Sequence, residues 1–88
     1  MFATIQSKEH LEFHCRVKAD PVLSFKNILV YEFVDSVFPD EIKKKVNGEI
    51  VGVFRHVALD TNGQGYLFDI NTNELSGNVG ECEYFLDK

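Results

Sequence analysis

The sequence predicts a mainly β fold, with α+β as the alternative: a small antiparallel sheet or partly open barrel with one short helix near residues 37–46. Three observations lead there. Apolar and polar residues alternate strictly over 11–18, the period of a half-buried strand. Segments 22–35 and 49–59 are rich in β-branched and aromatic residues without a helical face. Turn chemistry recurs at Asp20-Pro21, Asn47-Gly48, Asn62-Gly63 and Asn71-Thr-Asn-Glu74. With 88 residues, 44% of them hydrophobic and 26% charged, the chain has material for a single domain spanning residues 1–88.

Element by element, residues 1–6 form a short apolar start able to pair at an edge. From His10, the residues Leu11, Phe13, Cys15 and Val17 alternate with Glu12, His14, Arg16 and Lys18 and read as a strand. A helix capped by Ser7 is the rival over 8–18, but it would scatter Phe13 and Val17 to other faces. Asp20-Pro21 reverses the chain, because proline drives the preceding residue out of the helical region. Residues 22–35 then read as one long central strand, bent near Lys26.

The helix is expected where Pro39 and the acids Asp40 and Glu41 precede Lys43, Lys44 and Lys45, an order that complements the helix dipole. Asn47-Gly48 serves either as its stop or as a two-residue hairpin turn. Residues 49–59, apolar on both faces, are the expected centre of the sheet. Asn62-Gly63 is a strong hairpin signal, so 51–59 should pair with 66–70. The turn at 71–74 leads into a last strand over 81–86.

Charge is uneven along the chain. Residues 1–45 hold seven acids and seven bases, whereas 46–88 hold seven acids against Arg55 and Lys88 and so carry the whole net charge of −5. Such a field repels phosphate backbones and attracts basic surfaces, which disfavours direct nucleic-acid binding. The longest apolar stretch, 28–34, is interrupted by Glu32 and is far short of the ~20 residues that span a bilayer. No membrane association is expected. The amino terminus lacks the basic start and long apolar core of a secretory signal, so a cytoplasmic location is expected.

Residues that could carry chemistry do not assemble into a motif. On a strand His10 and His14 share a face but lie ~13 Å apart, too far to hold one ion. Asp60-Thr-Asn-Gly-Gln-Gly65 resembles the opening of an EF-hand calcium loop, yet Asn71 stands where that family needs a glutamate, and the flanks read as strands. His14 and Cys15 are strand neighbours and point to opposite faces. Gly63-Gln-Gly65 lacks the third glycine and the following helix of a phosphate loop. Cys15 and Cys82 read as reduced core thiols, with a disulfide between them as the alternative. No catalytic residue, metal ligand or cofactor is assigned.

The last strand is more informative as a surface. Alternation places Cys82, Tyr84 and Leu86 on one face and Glu81, Glu83, Phe85 and Asp87 on the other. An aromatic flanked by acids suits a recognition edge, joined by the turn acids Asp60, Asp69 and Glu74. The expected function is stoichiometric binding to a larger, basic protein, in the manner of inhibitors, immunity proteins or phage-encoded anti-defence proteins of nucleic-acid-acting enzymes, with a phage-infected bacterium as one setting. Two alternatives stand beside it. One is a small enzyme or ligand-binding barrel whose site gathers His14, His56, Asp60 and Asp69; the other is an assembly subunit that forms homo-oligomers through a sheet edge.

Overall fold

A computed structural model describes residues 1–10, 13–34 and 42–87. Its strands are β1 (Phe2–Ser7), β2 (His14–Lys18), β3 (Leu23–Phe25), β4 (Ile28–Glu32), β5 (Ile42–Val46), β6 (Glu49–Phe54), β7 (His56–Leu59), β8 (Gln64–Asp69) and β9 (Glu74–Leu86). No helix occurs among the described residues. Seven strands form one antiparallel sheet in the order β2-β1-β9-β8-β7-β4-β3, while β5 and β6 pair only with each other. The sheet curls until Val17 bridges Phe33 and the Val34 N–H reaches the Arg16 carbonyl at 3.0 Å, but it does not close into a barrel.

The alternation over 13–18 holds from His14 onward, where Cys15 and Val17 are buried opposite Ile5 and Ala3. Strand begins later than expected because Ser7 organises a turn. Its hydroxyl accepts from the Glu9 and His10 N–H groups and donates to the Val79 carbonyl at 2.6 Å. The capping chemistry that favoured a helix is therefore real, but it serves the bend between β1 and β2. His10 belongs to that bend and His14 to β2, so they do not share a strand; Leu11 and Glu12 lie outside the described residues.

Three further expectations change. The single strand over 22–35 is the β3–β4 hairpin, folded at Lys26-Asn27, with φ of 48° and 65°. Two successive positive φ values make the tight turn that matches strand twist, and nothing in a lysine announces that conformation. The hairpin puts β3 at the rim of the sheet, not its centre. The helix near 37–46 is not found over Ile42–Val46, which is strand β5; residues 37–41 lie outside the described residues. Lys43–45 complement a helix dipole, but Asn47-Gly48, with φ of 52° and 83°, takes its hairpin alternative and pairs β5 with β6.

The single strand over 49–59 is broken at Arg55. Its first part, β6, belongs to the β5–β6 hairpin, and its second, β7, lies between β8 and β4. The pairing expected across Asn62-Gly63 for 51–59 forms only over its second part, from His56 opposite Phe68 to Leu59 opposite Gly65.

Both faces of the sheet bury apolar groups. On the inner, concave face Ala3, Ile5, Cys15, Val17, Tyr31, Phe33, Val57 and Cys82 make one cluster; on the outer face Val30, Ala58 and Phe68 make another. Gly65 is demanded by this packing, since a Cβ there would lie 2.6 Å from Cys82 Sγ and 2.8 Å from Val79 Cγ2. Gly65→Ala is expected to cost about 1–3 kcal/mol through overpacking. Urea unfolding checks this, and an unshifted midpoint would mean that β8 and β9 part easily.

Candidate partner-binding surface

The register of β9 against β1 settles the faces of the last strand. Tyr84 lies opposite Ile5 and Leu86 opposite Ala3 on the inner face, whereas Glu83 lies opposite Gln6 and Phe85 opposite Thr4 on the outer. The strand is not terminal in the sheet. It is long and bent, pairing with β8 from Glu74 to Glu81 and with β1 from Cys82 to Leu86. Non-local pairing therefore converts the expected edge strand into an interior one whose final stretch is paired on one side.

The acids of the outer face are unequal. Glu81 is 3.3 Å from Lys8 Nζ, and Asp87 Oδ2 accepts from Arg16 Nε at 2.9 Å. The same guanidinium lies 4.9 Å from the centre of the Phe2 ring. Glu83 is exposed and has no ion pair among the described residues, and beside it Phe85 is 47% exposed. Three consecutive large side chains, Tyr84, Phe85 and Leu86, are all more than a third exposed. Among the described residues, Phe85 is thus left partly uncovered on the outer face, and Tyr84 and Leu86 on the inner.

The turn acids are elsewhere and have local work. Asp60 Oδ1 accepts from the Asn62 and Gln64 N–H groups at 2.8 and 2.9 Å, which builds the β7–β8 turn. Asp69 Oδ1 accepts from the Asn71 N–H at 2.9 Å in the same way. Glu74, exposed, stands opposite Asp69 where β9 begins.

Behind the stripe lies a groove that alternation did not foretell. It holds about 490 Å³ and is lined by Leu29, Tyr31, Leu59, Asp60, Cys82 and Tyr84, among others. The rings of Tyr31 and Tyr84 stand 5.5 Å apart, and the Tyr84 hydroxyl donates to the Ala19 carbonyl at 2.9 Å. Burial pushes both phenols up; for Tyr84 the carboxylates of Asp20 and Asp87 add to the shift. Period two assigns Tyr84 and Leu86 to the core face correctly, but it carries no information on where that core stops.

A second cavity, of about 290 Å³, is lined by Phe54, Arg55, His56, Phe68, Asp69 and Asn71, among others. It brings together two of the four residues of the enzyme alternative, His56 and Asp69. Asp60 lies past the far end of β7, in the groove just described, and His14 is exposed on β2. Burial lowers the His56 pKa, Glu32 opposes the shift and Arg55 adds to it. Glu32 is itself held below the usual carboxylate range by the hydrogen bond from Lys18, at 2.6 Å. Among the described residues no group of three or more His, Cys, Asp or Glu stands where it could hold a metal ion. Nor does any helix there have the length and apolarity to cross a membrane.

Compared with known proteins, the chain matches no family model, no curated protein and no solved structure.

Proposed function

We propose that the protein is a stoichiometric binder of a larger, basic protein, and that it acts by occupying a surface of that partner. The observation that carries this reading is Phe85, 47% exposed on the outer face at the end of β9, with Glu83, which has no ion pair among the described residues, on the same face. Exposed aromatics are the usual energetic anchors of an interface, and a net charge of −5 steers a basic surface toward them. Inhibition of a nucleic-acid-acting enzyme is the narrower form of the reading, because such enzymes present basic surfaces; an intracellular setting goes with it.

The internal ion pairs of Glu81 and Asp87 make Glu83 and Phe85 the residues to change. Glu83→Ser combined with Phe85→Ser is expected to leave the fold intact and weaken capture of the partner by about tenfold or more. Affinity purification of the full chain with quantitative mass spectrometry checks this. Equal recovery of the same basic partner by both proteins would remove this surface from the interface.

A ligand-binding reading is favoured by one observation, the cavity that gathers Arg55, His56 and Asp69. It is a second proposal, and it assigns the cavity a small polar ligand.

A further inference from the structure

Beside the apolar groove, the last strand carries a short run of backbone with no strand partner among the described residues. Lys8 N–H donates to the Glu81 carbonyl at 2.8 Å, and Asp87 N–H donates to the Phe2 carbonyl at 2.9 Å. The odd-numbered residues of this stretch therefore turn their polar backbone groups toward β1, while Tyr84 and Leu86 turn theirs away. Cys82 N–H points the same way and is taken by the Gly63 carbonyl at 2.8 Å. Past that bond the ladder with β8 has ended, and among the described residues no strand lies against Tyr84 and Leu86.

This open edge borders the groove, because Cys82 and Tyr84 line it together with Leu29, Tyr31 and Leu59. The charge around it is acidic. Asp60 lines the groove, Asp20 is close enough to Tyr84 to act on its hydroxyl, and the cation nearest in sequence to the lining residues is Lys26, beside Asn27. An unpaired strand edge with an adjoining apolar trough is what strand addition requires: main-chain bonds supply affinity, and alternate side chains enter the trough. A lysine or arginine suits such a trough, with its apolar stem along Tyr84 and Leu59 and its charge at the acidic rim.

We propose that the Tyr84–Leu86 edge and its groove bind an extended, basic segment of a partner protein as an added strand, with a lysine or arginine set near Asp20 and Asp60. The inference rests on the reading of the protein as a binder of a basic partner and names the place and manner of contact.

The test titrates the isotope-labelled full chain with a short synthetic peptide of alternating lysine and valine, followed by nuclear magnetic resonance. A glutamate–valine peptide is the control. The lysine peptide is expected to shift the amides of Gly63, Tyr84 and Leu86, to slow hydrogen exchange at Tyr84 and Leu86, and to bind about tenfold or more tightly than the control. Leu86→Pro removes an N–H that points away from β1, and is expected to weaken the lysine peptide by about tenfold.

Absent shifts at those amides, or equal binding by Leu86→Pro, would overturn the proposal. Should Leu86→Pro fail to fold, Asp20→Lys takes its place: severalfold weaker binding supports the proposal and unchanged binding overturns it. A dimer that grows with concentration and is abolished by Leu86→Pro would give the edge to a second copy of this chain, and so overturn a basic partner there. Undiminished capture of a stoichiometric basic partner by Leu86→Pro would sink the groove and spare the broader reading. Peptide binding at the groove with no stoichiometric partner held by the wild type would support the groove and sink the broader reading.

Discussion

Phe68→Ala is expected to cost about 3–5 kcal/mol, against a total stability on the order of 5–15 kcal/mol for a domain of this kind. Phe68 is 1% exposed on β8 and packs in the outer-face cluster with Val30 on β4 and Ala58 on β7. It also lines a cavity with Phe54, at the end of β6, so its ring stands where the β5–β6 hairpin approaches the main sheet. Small cores cannot collapse around a lost ring, because the strands on either side are held at fixed ladder spacing. Urea unfolding followed by circular dichroism measures the effect. A loss below about 1 kcal/mol would show that the outer cluster is a covering and not a second core.

The largest pH effect is expected from Cys15. Burial pushes its thiol up to about 12, the nearby Cys82 adds to the shift, and a backbone hydrogen bond with Ile5 opposes it. The sign follows from the two states. An unfolded chain sheds this proton near the ordinary thiol value and the folded chain resists, so the stability from a neutral Cys15 is full below about pH 9. It is lost progressively as pH rises from there toward 12. The raised values of Cys82, Tyr31 and Tyr84 push the same way.

Two measurements check the thiol. In the folded protein at pH 8, Cys15 should react with a thiol reagent about a thousandfold more slowly than a free cysteine, because a pKa near 12 leaves that much less thiolate. The denaturant midpoint should also fall with pH above about 9, and Cys15→Ala should flatten that slope while lowering stability below about pH 9. Rapid labelling of Cys15 in the folded state would contradict its burial. A disulfide is not formed: both thiols are free, and with β1 between β2 and β9 the two backbones stand about two ladder spacings apart, beyond the reach of an S–S bond.

The paired residues show which parts of this protein were legible before folding. That Cys15 and Val17 face one way along their strand, and that Glu83 and Phe85 face the other way from Tyr84, follows from period two, because side-chain direction along a strand is a local property. Whereas Asn47-Gly48 suits a helix stop and a hairpin turn alike, the hairpin at Asn62-Gly63 was legible for the same reason, its turn chemistry lying in adjacent residues. Lys26-Asn27 was not, since the lysine gives no sign of its positive φ.

The acidic stripe, by contrast, was only half determined by sequence. Alternation alone put Glu81, Glu83, Phe85 and Asp87 on one face, but register alone brought Lys8 to Glu81 and Arg16 to Asp87, leaving Glu83 without an ion pair among the described residues beside the exposed Phe85. Whether a strand lies inside the sheet or at its rim, and where an apolar face stops being covered, depends on partners more than seventy residues away in the chain, such as Lys8 for Glu81. Contacts of that separation leave no local pattern. They are chosen by the pairing of the whole sheet, which is why the groove at Cys82 and Tyr84 belongs to the tertiary structure alone.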